Sequence, residues 1–146
     1  PKKKKKLKFL IIGHGQQENL LKKLVKDNDL EENVIMTGFI NYSELNKYIN
    51  FADICINPFE INKITNIIFP SKIYQYLACS KPVIATRLKG LLELFPKSQN
   101  DVYYFNLQRP KEFFDLARKI KKRDIKSTNL SLQKIAEIIY SRHLNR

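Results

Sequence analysis

The sequence has no tryptophan, one methionine, two cysteines, two histidines and four glycines in 146 residues. Each shortage excludes something. Cys55 and Cys79 sit in apolar segments, at a spacing that makes neither a disulfide framework nor a metal site, so both are expected as reduced, buried thiols. With only His14 and His143 beside them, no protein-built transition-metal centre is expected. No apolar run approaches the length that spans a bilayer, and no signal-peptide pattern appears. Few glycines argue for regular elements over a loop-rich scaffold. Acidic residues are also scarce, 14 against 27 Lys and Arg, which leaves a net charge of +13. That excess attracts anions: nucleic acid, anionic lipid or phosphorylated ligands. Lysine is spread along the whole chain, however, and much of it falls on predicted solvent faces. An apolar fraction of 43% is enough for one domain with a real core.

What is present is an alternation of short apolar runs and amphipathic segments. Pro1 and the five lysines after it form a basic lead-in over residues 1–6. The run has the pattern of a nuclear-localisation peptide, but a solvated approach to the first strand explains it as well. Leu7 to Ile12 reads as a buried, parallel-type strand that runs straight into Gly13-His14-Gly15. Two glycines at i and i+2 suit a tight strand-to-helix turn and the close approach of a phosphate. The third glycine of a dinucleotide fingerprint is missing, since Glu18 holds its place. A helix from Gln16 to about Asp27 is expected to turn Leu20, Leu21, Leu24 and Val25 inward. Val34–Phe39 is a second strand. Ser43 is expected to cap a helix striped by Leu45, Tyr48, Ile49 and Ala52.

Asp53–Pro58 is a third strand, and the polar-aliphatic loop Phe59–Ile68 follows it. In an α/β sheet this is the strand end at which ligands bind, which makes Asn66 a candidate. From Phe69 to Thr86 the chain reads FPSKIYQYLACSKPVIAT. Pro70 and Ser71 open a helix, Lys81-Pro82 breaks it, and Pro82–Thr86 is a short buried strand. The amino end of that helix offers unpaired N–H groups to an anion. Lys72 lies in its first turn, where the dipole mildly disfavours a cation unless an anion is bound. A short helical turn carrying Glu93 comes next, then a fifth strand at Asp101–Asn106. Phe113, Leu116, Ala117 and Ile120 stripe a further helix. A charged connector over 121–128 leads to a terminal helix striped by Leu132, Ile135, Ala136 and Ile139. Five alternations of strand and helix predict an α/β, Rossmann-like, doubly wound parallel sheet with helices on both faces.

The order of these motifs resembles the C-terminal half of a GT-B glycosyltransferase. The nearest group is the large retaining one called family 4, or glycosyl transferases group 1. Its members carry a strand ending in Gly-x-Gly, a V-x-F-x-G strand, a strand of the form aDv-x-x-x-P, and a P-x-K-x-x-E-Y-x-A-x-G-K-P-V block. A Gly with a nearby Glu follows. The match runs from Leu7 to Glu93. It implies that residues 7–146 are a Rossmann-like donor-binding domain, or a fragment of an enzyme whose N-terminal acceptor domain is absent here. The implied reaction is hexosyl-type transfer from a nucleotide-diphosphate sugar to a polysaccharide or lipid-linked acceptor, without metal or other cofactor. The resemblance places Gly13 and Gly15 near the donor's phosphates or sugar and Phe39 and Ile40 beside the base. It puts Ser71, Lys72 and Ile73 on the diphosphate, with Lys72 the catalytic cation, and Gln75 on the ribose. His14 either touches a phosphate or is an exposed turn residue; Glu93 either meets the sugar or caps its helix.

Three departures bear on activity. Gln75 stands where the family has Glu, Ile67 where an earlier Glu is usual, and the Arg and Lys that clamp the diphosphate belong upstream of Leu7. Ser80 also replaces a Gly after the helix. The alternative is therefore a degenerate, non-catalytic relative that binds a nucleotide or a partner chain. A nucleic-acid module rests on charge alone and lacks an aromatic platform. The family implies a cytoplasmic location, with peripheral contact at the inner membrane face.

Overall fold

Residues 7–98 and 101–122 are described by a computed structural model, and they divide between two compact units, Pro1–Leu45 and Asn46–Arg146. The basic lead-in and the expected terminal helix lie outside the described residues.

In the first unit, strand β1 (Phe9–Ile11) pairs in parallel with β2 (Val34–Met36), with Phe9 opposite Val34 and Ile11 opposite Met36. Helix α1 (Glu18–Asp27) makes the crossover. Two three-residue strands present little apolar surface, and none of the described residues up to Leu45 is buried. The expected inward stripe of α1 is therefore corrected. Leu20 is 53% exposed, Leu21 and Leu24 are exposed as well, and Val25 is half-buried. β1 is likewise half-buried rather than buried. Local bonds support α1 instead: Lys22 pairs with Glu18 at 2.7 Å, and Asn28 Nδ2 donates to the Leu24 carbonyl.

Helix α2 (Tyr42–Phe51) crosses from one unit into the next. It begins a residue earlier than expected, so Ser43 lies in its first turn and is not the cap; the Glu44 N–H donates to the Asn41 carbonyl. The stripe holds, with Ile49 buried and Leu45, Tyr48 and Ala52 half-buried.

The second unit carries the core. Strands β3 (Cys55–Asn57), β4 (Val83–Thr86) and β5 (Val102–Phe105) form a parallel sheet in that order. Helix α3 (Lys72–Ala78) connects β3 to β4, α4 (Lys89–Leu94) connects β4 to β5, and α5 (Pro110–Lys122) follows. β4 is central, and every one of its residues is buried. Ile84 and Phe105 pack on Ala117 and Ile120 of α5, the expected stripe. Side chains alternate along a strand. Cys55, Asn57 and Ala85 therefore belong to the opposite face of the sheet. Both sheets are parallel and flanked by helices, the α/β arrangement expected.

Candidate functional site

Each unit presents its own group of the predicted residues. In the first, the turn after β1 is held by an antiparallel bridge, where the Gly13 N–H donates to the Gly38 carbonyl at 2.8 Å. Gly13 (φ 110°) and Gly38 (φ 68°) both occupy backbone that L side chains rarely adopt, so backbone demands glycine there. Gly15 is different. Its φ is not in that range, and a Cβ built on it would meet nothing within 4 Å. Neither backbone nor packing accounts for it. The turn is open: His14 is exposed, its ring 6.1 Å from that of Phe39, and Phe39 is 72% exposed. Ile40 is half-buried just beyond. His14, Phe39 and the glycine turn thus come together.

In the second unit, the predicted residues gather at the carboxyl edge of the sheet. The loop after β3 is braced by its own polar side chains. Asn62 Oδ1 accepts from the N–H groups of Ile64 and Thr65, and Thr65 Oγ1 accepts from the Asn62 N–H and donates to the Glu60 carbonyl. A 3-10 turn (Thr65–Ile67) follows. Asn66 Oδ1 accepts from the Lys89 N–H at 2.8 Å, which ties the loop to the start of α4. Asn66 therefore has a structural task already. Gly90 lies against this loop: a Cβ there would sit 3.0 Å from the Ile67 and Ile68 carbonyl oxygens. With the polar groups turned to backbone, the aliphatics point out; Ile64 is 70% and Ile67 is 73% exposed.

Helix α3 starts beside that loop. Phe69 stacks on Tyr74 with centroids 4.3 Å apart, anchoring the first turn, and burial holds the Tyr74 phenol above its ordinary pKa. Ile73 and Leu77 are fully buried and fix the helix to the sheet. Ile73 can thus offer only backbone. Ser71 sits at the N-cap but makes no side-chain cap bond; it and Lys72 are exposed. Gln75 is half-buried one turn on, and Glu93 is exposed on α4. The helix closes with Ser80 at φ 55°. The Lys81 N–H donates to Tyr76 and the Ser80 N–H to Leu77, the Schellman pattern. Ser80 thus occupies the left-handed position that the expected Gly would favour. Cys55 is buried as expected, its thiol pushed up to about 12 by desolvation, whereas Cys79 is only half-buried.

Two residues at this edge escape motif reading. Asn57 and Thr86 are the buried polar residues among those described. Thr86 Oγ1 donates to the Phe59 carbonyl at 2.7 Å and straps the outgoing chain to β4. Asn57 Nδ2 has no hydrogen-bond partner among the described residues. Leaving such a group unpaired costs about 1–3 kcal/mol. The signal in the sequence was an Asn closing an otherwise apolar run, just before Pro58. Among the described residues no His/Cys/Asp/Glu cluster could hold a metal ion, and no helix is long and apolar enough to cross a membrane.

Residues 1–122 match the family described as Glycosyl transferases group 1. The chain is similar to the "Putative teichuronic acid biosynthesis glycosyltransferase TuaH" of Bacillus subtilis (strain 168), 38% identical over 56 residues, which is 38% of this chain and 14% of that protein. It is also similar to the "Amylovoran biosynthesis glycosyltransferase AmsK" of Erwinia amylovora, 31% identical over 87 residues, 59% of this chain and 21% of the relative. The matched part is thus a small fraction of either relative's length.

Proposed function

The chain belongs to the glycosyl transferases group 1 family, and from that premise we propose that it supplies the nucleotide-sugar-binding part of a retaining glycosyltransferase. The enzyme passes a hexosyl-type group to a saccharide or lipid-linked acceptor read by another part of the protein. Both relatives carry names from the biosynthesis of a named product, teichuronic acid or amylovoran, which supports a role in envelope polysaccharide assembly.

One observation carries the reading. Lys72 is an exposed cation in the first turn of α3, at the carboxyl edge of a parallel sheet. The helix dipole opposes a cation there and favours an anion. A bound diphosphate reconciles the two, and Lys72 then offsets the negative charge that builds on the leaving group as the sugar departs. Ser71 faces the same phosphate, beside Ile73, whose N–H donates to the Pro70 carbonyl at 3.0 Å and holds the turn, and Gln75 accepts from the ribose hydroxyls. Gly15, which nothing among the described residues requires, leaves room for the donor to approach backbone. His14 and Phe39 flank that turn, with Ile40 next to the base. Glu93 meets the sugar. No metal is assigned, since cationic side chains supply the charge. The protein works in the cytoplasm, with its +13 charge favouring peripheral contact with an anionic inner leaflet.

Titrating the full-length protein with UDP, GDP and ADP tests this. One nucleotide should bind saturably, and Lys72→Ala should weaken it roughly ten- to a hundredfold, the range of a charge-assisted hydrogen bond. No saturable binding of any of them contradicts the reading. A second reading, binding without transfer, is favoured by the apolar, exposed Ile67 and by Gln75 at two expected glutamate positions. It predicts nucleotide-sugar binding with no turnover.

A further inference from the structure

Asn57 closes β3 at the carboxyl edge of the second unit's sheet. It is 3% exposed, and its Nδ2 has no partner. Its position relative to α3 follows from two neighbours. Cys55 interacts electrostatically with Cys79 and Lys81, just after α3, and with Tyr76 within it. The carboxyl end of α3 therefore lies beside Cys55. As the crossover between two parallel strands, α3 runs antiparallel to β3. Two residues on from Cys55 is Asn57, about 6.6 Å along the strand. Four residues back from Tyr76 is Lys72, about 6 Å along the helix. The two displacements agree, and they bring the first turn of α3 level with Asn57. Cys55 and Asn57 share the sheet face opposite to α5.

We infer that Asn57 is a further ligand-contacting residue of this edge, its Nδ2–H donating to a hydroxyl oxygen of the sugar in a nucleotide-diphosphate sugar. The inference rests on the donor-binding reading above. A neutral amide suits a neutral hydroxyl, while the diphosphate is matched by the cation of Lys72 in the first turn of α3. Nδ2 is closed off from solvent in the chain without ligand, so sugar binding has to open the structure around it. An unpaired buried donor then gains the partner it lacks, and a ligand without the sugar leaves it unpaired.

Asn57→Leu, similar in shape and without the amide, tests this in the full-length protein. Without ligand, its melting temperature should rise by a few degrees, since a buried unpaired polar group has gone. Affinity for the nucleotide sugar should fall at least tenfold, and affinity for the nucleotide diphosphate alone should stay within twofold. Asn57→Ala, which removes the amide without adding bulk, should show the same sugar-specific loss, so the test survives if the leucine variant does not fold. Equal affinity for the sugar donor in wild type and both variants overturns the inference, and marks Asn57 as a site for buried water. Loss of nucleotide and nucleotide-sugar binding together overturns it too, as general damage. If the wild type binds no nucleotide at all, the donor-binding reading fails and Asn57 falls with it.

Discussion

The two units are built from the same local grammar and end in different physical states. Both run strand, helix, parallel strand, with a turn or loop at a strand's carboxyl end that holds predicted site residues. In the second, a three-stranded sheet meets α5 and buries the whole of β4. In the first, a two-stranded ribbon leaves α1 without a buried residue. Pairing pattern and topology thus follow from sequence periodicity over ten or twenty residues. Burial depends on how many strands stand side by side, which periodicity does not encode. The glycines differ in the same sense. Gly90 is fixed by neighbouring backbone, and Gly15 by nothing among the described residues.

The largest expected effect comes from the core. Ile84→Ala should lower the stability of the second unit by about 2–5 kcal/mol in urea denaturation, because it empties a fully buried site. Leu24→Ala, on the exposed face of α1, should stay within about 0.5 kcal/mol. Equal losses would erase the contrast between the units. Gly90→Ala comes next. Its Cβ presses on two carbonyl oxygens at 3.0 Å, and overpacking of this kind costs about 1–3 kcal/mol. Gly15→Ala should leave the melting temperature almost unchanged while weakening nucleotide-sugar binding. Ser80→Gly should stabilise by about 1 kcal/mol, relieving a left-handed serine without touching the Schellman bonds.

The smallest effect is alkaline. Burial pushes Cys55 up from 9.0 to about 12 and Tyr104 from 10.0 to about 12, the latter partly opposed by Arg87 over its ring. Above pH 9 the unfolded chain loses these protons first, while the folded chain keeps them. Folding then binds more protons than unfolding, so stability is full below pH 9 and falls as pH rises toward 12. Replacing Cys55 with Ala should flatten the first part of that slope. At neutral pH an alkylating reagent should modify Cys79 before the buried thiol of Cys55.

Much of the second unit was legible in the sequence. Phe113, Leu116, Ala117 and Ile120 announced the α5 stripe, and Lys81-Pro82 marked the break before β4. The left-handed turn at Ser80 followed from the expected Gly. Less legible was anything decided by tertiary neighbours. Leu20, Leu21 and Leu24 have flawless helical spacing, yet the sheet of their own unit has only two short strands. Ser43 looked like a cap, but Asn41 supplies the first carbonyl. Asn66 was read as a ligand residue from its loop; its side chain already holds α4. Asn57 was read only as part of a strand, because an unpaired amide shows itself only once every neighbour is placed.

Hydrogen exchange of the full-length protein, with and without a saturating nucleotide sugar, tests the donor-binding claim most directly. Protection should appear at residues 13–15 and at residues 70–73, and Lys72→Ala should diminish it. Protection absent from both segments, with the donor demonstrably bound, would contradict the account.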